Sequence, residues 1–148
     1  MVLLMAQGKL KEAEPLMREA VEGDREMKGP RHPETLGSVS GLGVLLFKRG
    51  KAAEAEPLYR EALKGGREVL GPRHPDTLTW VNNLAGLLYE QGKVAEAEPL
   101  YHEALKGRRE LLGPRHPDTL SSAKWAAKLL NESGRAEEAA RLRSEYGV

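Results

Sequence analysis

The sequence predicts an all-α solenoid of helix pairs, on three observations. The first is a fixed period. Residues 37–78 and 79–120 align without gaps at 29 of 42 positions. Gly8, Gly50, Gly92 and Gly134 fall one period apart, as do Pro15, Pro57 and Pro99, and as do His32, His74 and His116. A fixed period of this length means stacked copies of one supersecondary unit. The second is apolar spacing near 3.6 residues, the signature of amphipathic helices. The third is punctuation by Gly and Pro at the same place in every copy.

The copy at 79–120, with the four residues before it, serves as the ruler. Pro75, Asp76 and Thr77 open a helix, because proline suits the first helical position and an acid in the first turn suits the helix dipole. Leu78, Val81, Leu84, Ala85 and Leu88 form its apolar stripe. Gln91-Gly92 ends it with a C-cap glycine. A longer second helix carries Val94, Ala97, Tyr101, Ala104, Leu105, Leu111 and Leu112 as its stripe and stops at Gly113-Pro114. Pro99 lies about one turn inside, where it removes at most one backbone bond. Gly107 lies deeper, as do Gly65 and Gly23 in their copies. An interior glycine costs about 1 kcal/mol relative to alanine. Its recurrence predicts either a close neighbouring helix or a bend.

By this register, residues 1–36 are a copy lacking half its first helix, with the second helix whole. Residues 37–78 and 79–120 are complete copies. Residues 121–148 supply a first helix and about half of a second, with Arg141 where the other copies have proline. Both ends then cut through a unit. That leaves three readings open: a piece of a longer array, ends covered by another chain, or partly frayed end units.

Composition narrows the function classes. Among 148 residues, 30% are charged and the net charge is +1, with both signs interspersed, which argues against a dedicated polyanion binder. There is no cysteine, so disulfides and thiolate metal sites are excluded. A cytoplasmic location is expected. The start, MVLLMAQGK, has no basic lead and is not read as a signal peptide. No apolar run approaches membrane-spanning length.

Chemistry-bearing patterns are weak. Zinc needs its ligands within about 2.0–2.3 Å of one centre. Equivalent loops of successive units lie at least about 10 Å apart. His32, His74 and His116 are therefore expected to pack in loops or to hydrogen-bond at the next helix start. His102, with Arg60 at its equivalent place, is expected at the surface. No nucleophile turn or phosphate-cradling loop is present. Glu54/Glu56 and Glu96/Glu98 are two apart on a helix and point away from each other. The cluster Lys106, Arg108, Arg109 is flanked by Glu103 and Glu110, which disfavours nucleic acid. No enzyme activity, metal or cofactor is expected.

The unit resembles a tetratricopeptide repeat, with Leu84-Ala85, Gly92, Ala97, Tyr101 and Ala104-Leu105 in that family's places. The 42-residue period, NNLA at 82–85, EAEPLY at 96–101 and GPRHPDTL at 113–120 look like repeats of the kinesin light chain type. The resemblance implies a right-handed superhelix of antiparallel helix pairs. It also implies that first helices line a concave face where an extended peptide or another protein docks. The Asn pair of that type appears once here. Its equivalents are Ser40-Gly41 and Lys124-Trp125.

A helical wheel at about 100° per residue, with the core stripe centred on Val81, gives the opposite face. In the ruler copy this face holds Thr79, Asn82, Asn83, Gly86 and Glu90, with Tyr89 at its edge. One period earlier it holds Gly37, Ser40, Gly41, Val44, Phe47 and Lys48. One period later it holds Ser121, Lys124, Trp125, Lys128, Asn131 and Glu132. Asn offers a donor and an acceptor to a ligand backbone. Lys124 and Lys128 would favour an acidic group, and Trp125 and Phe47 apolar anchors. The expected site is therefore Asn82, Asn83, Gly86, Tyr89, Glu90, Lys124, Trp125, Lys128, Asn131, Ser40, Phe47 and Lys48. The expected partner is a protein or peptide, with neither nucleic acid nor membrane. The alternative is a structural or assembly module that self-associates through its end helices, at residues such as Leu3 and Leu142.

Overall fold

The computed structural model describes residues 8–148. Leu3, and the front of the first copy up to residue 7, lie outside the described residues. Among those described there are seven helices and no strands: α1 (Leu10–Lys28), α2 (Pro33–Lys48), α3 (Ala52–Val69), α4 (Pro75–Glu90), α5 (Val94–Leu112), α6 (Pro117–Glu132) and α7 (Ala136–Tyr146). The all-α class and the alternation of first and second helices are as the sequence predicts.

Local chemistry sets the boundaries. His32, His74 and His116 are the N-caps of α2, α4 and α6, each followed by proline. Each imidazole Nδ1 accepts the backbone N–H two residues on, from Glu34, Asp76 and Asp118, at 3.0–3.1 Å. This satisfies one of the orphan donors of a helix start. At the other end of α4, Gly92 has φ 79°. Its N–H bonds to Tyr89 O at 2.9 Å, and the Lys93 N–H bonds to Leu88 O at 2.8 Å. That pair of bonds is a Schellman closure, and it requires the left-handed backbone that glycine adopts without strain. The first helices therefore end sharply, and the chain turns back at once.

The chain divides into two compact units, Met1–Gly71 and Pro72–Val148. In the first, α1, α2 and α3 pack in order. Leu36 of α2 meets Gly65 of α3, and Gly43 meets Tyr59, so the two helices run antiparallel. Leu36, Val39, Leu42, Leu45 and Leu46 are buried together with Ala55, Tyr59, Ala62 and Leu63. Each fully buried leucine contributes about 1.5–3 kcal/mol.

In the second unit, α4 packs on α5, α5 on α6, and α6 on α7. Leu78 meets Gly107, and Gly86 lies over Tyr101, again an antiparallel register. At the far end, Ala127, Leu130 and Ala139 form a buried cluster with Leu142 packed against it.

The recurring glycine of the second helix marks close approach. A Cβ built on Gly65 would fall 2.5 Å from Leu36 Cδ2, and one on Gly107 would fall 2.5 Å from Leu78 Cδ2. At Gly23 such a Cβ meets nothing within 4 Å among the described residues.

Three expectations are corrected. Leu111 and Leu112, placed on the apolar stripe, are 47% and 40% exposed. The reason is length: α5 has 19 residues against 16 for α4, and Gly107 already lies opposite Leu78, near the start of α4. The last turn of α5 overhangs its partner. Trp80, which the stripe omits, is buried at 6% exposure. Ser40, which the wheel places on the open face, is buried at 5% exposure.

Candidate functional site

Residues of the open face are brought together in the second unit, where α4 and α6 are both first helices. Tyr89, in the last turn of α4, reaches α6 in two ways. Its ring meets Trp125 edge-on at 5.4 Å between centroids. Its hydroxyl donates to Glu132 Oε1 at 2.8 Å. From α5, Tyr101 stacks on Trp125 at 5.6 Å with only 7° between the planes. The Lys128 Nζ lies 4.8 Å from the Trp125 ring centroid and 5.2 Å from that of Tyr89. Trp125 therefore has a parallel tyrosine, a perpendicular tyrosine and a cation around it. Aromatic pairs of this kind contribute about 0.5–1.5 kcal/mol beyond area burial, and cation–π contacts at exposed sites about 0.5–1 kcal/mol.

The order of exposure makes this a platform. Tyr101 is buried at 2%, Trp125 and Tyr89 are half-buried, and Lys128 is exposed. Burial pushes the Tyr101 hydroxyl up to about 12, with the neighbouring Tyr89 and Glu90 adding to the effect. It stays a neutral phenol beneath the platform. A Cβ on Gly86 would sit 3.5 Å from the Tyr101 hydroxyl oxygen, an ordinary contact.

The other expected residues sit around this centre or apart from it. Asn82 and Asn83 are half-buried on α4. The Oδ1 of Asn82 is buried and has no hydrogen-bond partner among the described residues. Glu90, Lys124 and Asn131 are exposed. In the first unit, Phe47 is half-buried and Lys48 exposed on α2, while Ser40 offers little surface.

Sequence reasoning put Tyr101 in the core stripe and missed its place under Trp125. A register signal could have found it. Trp125 lies 24 residues after Tyr101, and Gly41 lies 24 after Met17. A Cβ on Gly41 would fall 3.0 Å from Met17 Cε. The same pair of positions faces each other in both units.

The three repeated histidines are held as separate N-caps. Among the described residues, no group of three or more His, Asp or Glu side chains is placed to hold a metal ion. Two of the three cations in the basic cluster of α5, Arg108 and Arg109, are engaged within the unit. Arg109 donates to Glu145 at 2.6 Å and to the Tyr146 hydroxyl at 3.0 Å, and Arg108 donates to Ser122 Oγ at 2.9 Å. Among the described residues no helix is long and apolar enough to cross a membrane.

A tetratricopeptide repeat family model matches residues 2–34, 35–76 and 77–118. Among solved structures, the chain is similar to a protein from Podosopora anserina assigned as a kinesin light chain with nearly identical TPR-like repeats. The identity is 24% over 97% of this chain and 68% of that one, with a TM-score of 0.90. It is similar to BtubC (BKLC) from P. vanneervenii at 26% identity, over 97% of this chain and 57% of that one, with a TM-score of 0.85. The chain thus spans little more than half of that protein. The TPR domain of Arabidopsis FLU aligns at 19% identity over 75% of this chain and 90% of that one, with a TM-score of 0.64. Comparison with curated protein sequences gives no match.

Proposed function

This chain belongs to the tetratricopeptide repeat family, whose members are protein-interaction modules, and from that premise we propose that it binds an extended peptide or partner segment on the face of its first helices. The binding residues of the second unit are Asn82, Asn83, Gly86, Tyr89, Glu90, Lys124, Trp125, Lys128 and Asn131. In the first unit, Ser40, Phe47 and Lys48 stand at the positions equivalent to Asn82, Tyr89 and Glu90. The role is non-catalytic and needs no cofactor.

The observation that carries this reading is the aromatic platform that ties α4 to α6. Trp125 and Tyr89 are rigid, amphipathic and half-exposed, the properties of binding hot spots. Tyr101 and Lys128 hold them in place, so little side-chain freedom is lost when a ligand arrives. The half-buried Asn82 side chain offers its amide group to a ligand backbone. Lys124 and Lys128 favour an acidic group on the ligand.

The test is selection from a random peptide library on the wild-type chain. Selected peptides are then titrated against wild type and a Trp125→Ala/Lys128→Ala variant of equal helicity by circular dichroism. The expected result is at least a tenfold loss of affinity, as befits a hot spot worth about 2 kcal/mol or more. Equal affinity for both proteins would show that peptides dock elsewhere.

The alternative of assembly through the ends draws no support from Leu142, which packs against the Ala127, Leu130 and Ala139 cluster.

A further inference from the structure

The second unit holds a cavity of about 140 Å³ where three helix ends converge. Pro75, Leu78 and Thr79 line it from the start of α4, Arg108, Leu111 and Leu112 from the end of α5, and His116 and Asp118 from the start of α6. Two features are unusual. The wall includes the overhanging Leu111 and Leu112, 47% and 40% exposed. Beside them stands a half-buried guanidinium, that of Arg108.

The Arg108 Nη1 donates to Ser122 Oγ at 2.9 Å and, more weakly, to Asp118 O at 3.4 Å. Its other N–H groups make no hydrogen bond, and no carboxylate lies within ion-pair distance, among the described residues. Burial pushes this guanidinium down, while the charge of Asp118 acts the other way from beyond contact. The remaining N–H groups of this half-buried fork are left for a ligand, and a carboxylate is the group that matches them in geometry and charge. The repeat register shows that this is specific to one copy. The equivalents of Arg108 are Gly66 and Asp24.

We propose that this cavity is a binding site for a small apolar monocarboxylate, its carboxylate on the Arg108 guanidinium and its hydrocarbon body against Leu78, Leu111 and Leu112. The size fits one ring or a short branched chain, because a cavity of about 150 Å³ holds a benzene. Asp118 at the rim disfavours a second negative charge, which selects monocarboxylates over phosphates and dicarboxylates. This site does not depend on the aromatic platform.

The probe is sodium benzoate, with benzamide as its uncharged counterpart, titrated into ¹⁵N-labelled protein and followed by NMR. The expected result is saturable shifts confined to the three helix ends, with a dissociation constant of about 1 mM or below. Benzamide is expected to bind at least tenfold more weakly. Arg108→Gln should lose at least tenfold in benzoate affinity, and Arg108→Lys should recover part of it. Leu112→Glu, at an exposed position, keeps the fold and should abolish binding by placing a carboxylate at the mouth. Equal binding of benzoate and benzamide, shifts spread along other faces, or benzoate affinity unchanged in Leu112→Glu would each overturn the proposal.

Discussion

At two pairs of equivalent positions the two units use the same scaffold for opposite purposes. In the first unit, Gly41 leaves the α2 surface bare above Met17. In the second, Trp125 covers Tyr101 and gathers Tyr89 and Lys128 around it. Nearer the start of the same helices, Ser38 donates its hydroxyl to Asp24 at 2.5 Å, whereas Ser122 accepts from Arg108 at 2.9 Å. The hydrogen bond from Ser38 is the main cause holding the Asp24 carboxyl below its usual value. A hydroxyl can act either way, so one serine position tolerates an acid in one copy and a guanidinium in another. The backbone repeat is shared, and the side-chain chemistry on it is local to each copy.

The shared part can be broken by matched core truncations. Leu36 and Leu78 occupy one register position and are each 1% exposed. Leu36→Ala and Leu78→Ala are each expected to cost about 2–5 kcal/mol in urea unfolding. A large inequality between them would end the equivalence of the two packings.

The glycines give the next effect, with a change of sign. Gly65→Ala and Gly107→Ala drive a Cβ into a buried leucine and should destabilise by about 1–3 kcal/mol. Gly23→Ala meets no atom of the described residues within 4 Å and should stabilise by up to about 1 kcal/mol through helix propensity. Pairing Gly107→Ala with Leu78→Ala should recover part of the loss, because the truncated side chain vacates the clash.

The platform sharpens the contrast further. A double-mutant cycle on Trp125 and Tyr101 should return a coupling of about 1 kcal/mol. Introducing Trp at Gly41 should not reproduce it, since Met17 has no ring to stack on.

The last expected effect is a change in the slope of stability with pH, set by a carboxylate of the first unit. Burial raises the Glu14 carboxyl, but hydrogen bonds from Arg18, Arg49 and Lys51 more than offset it, and the net result lies at about 2 against an ordinary 4.5. A depressed carboxyl stabilises the folded state above its unfolded value and loses that contribution as pH falls through the folded one. Stability should therefore fall between about pH 4.5 and pH 2, with a shallower slope in Glu14→Gln. An unchanged slope would show that the three cations do not act on Glu14 in solution.

Much of this was legible in the sequence because it is local. The His-Pro-acid run, the glycine after the first helix and the two apolar stripes act within a few residues of one another, through capping, backbone preference and period. They determined the helix-pair class and placed each helix start and stop nearly where it stands. They also placed Tyr89, Trp125 and Lys128 on one side of their helices. What only tertiary structure decided was which neighbour covers each face. The stripe could not show that Leu111 and Leu112 overhang α4, that Ser40 and Trp80 are buried, or that Tyr101 is the floor under Trp125. Nor could it decide between a bend and a close approach at Gly107. Those outcomes depend on helix lengths and on how far one helix lies from the next, and burial is a property of the contact and not of the segment that makes it.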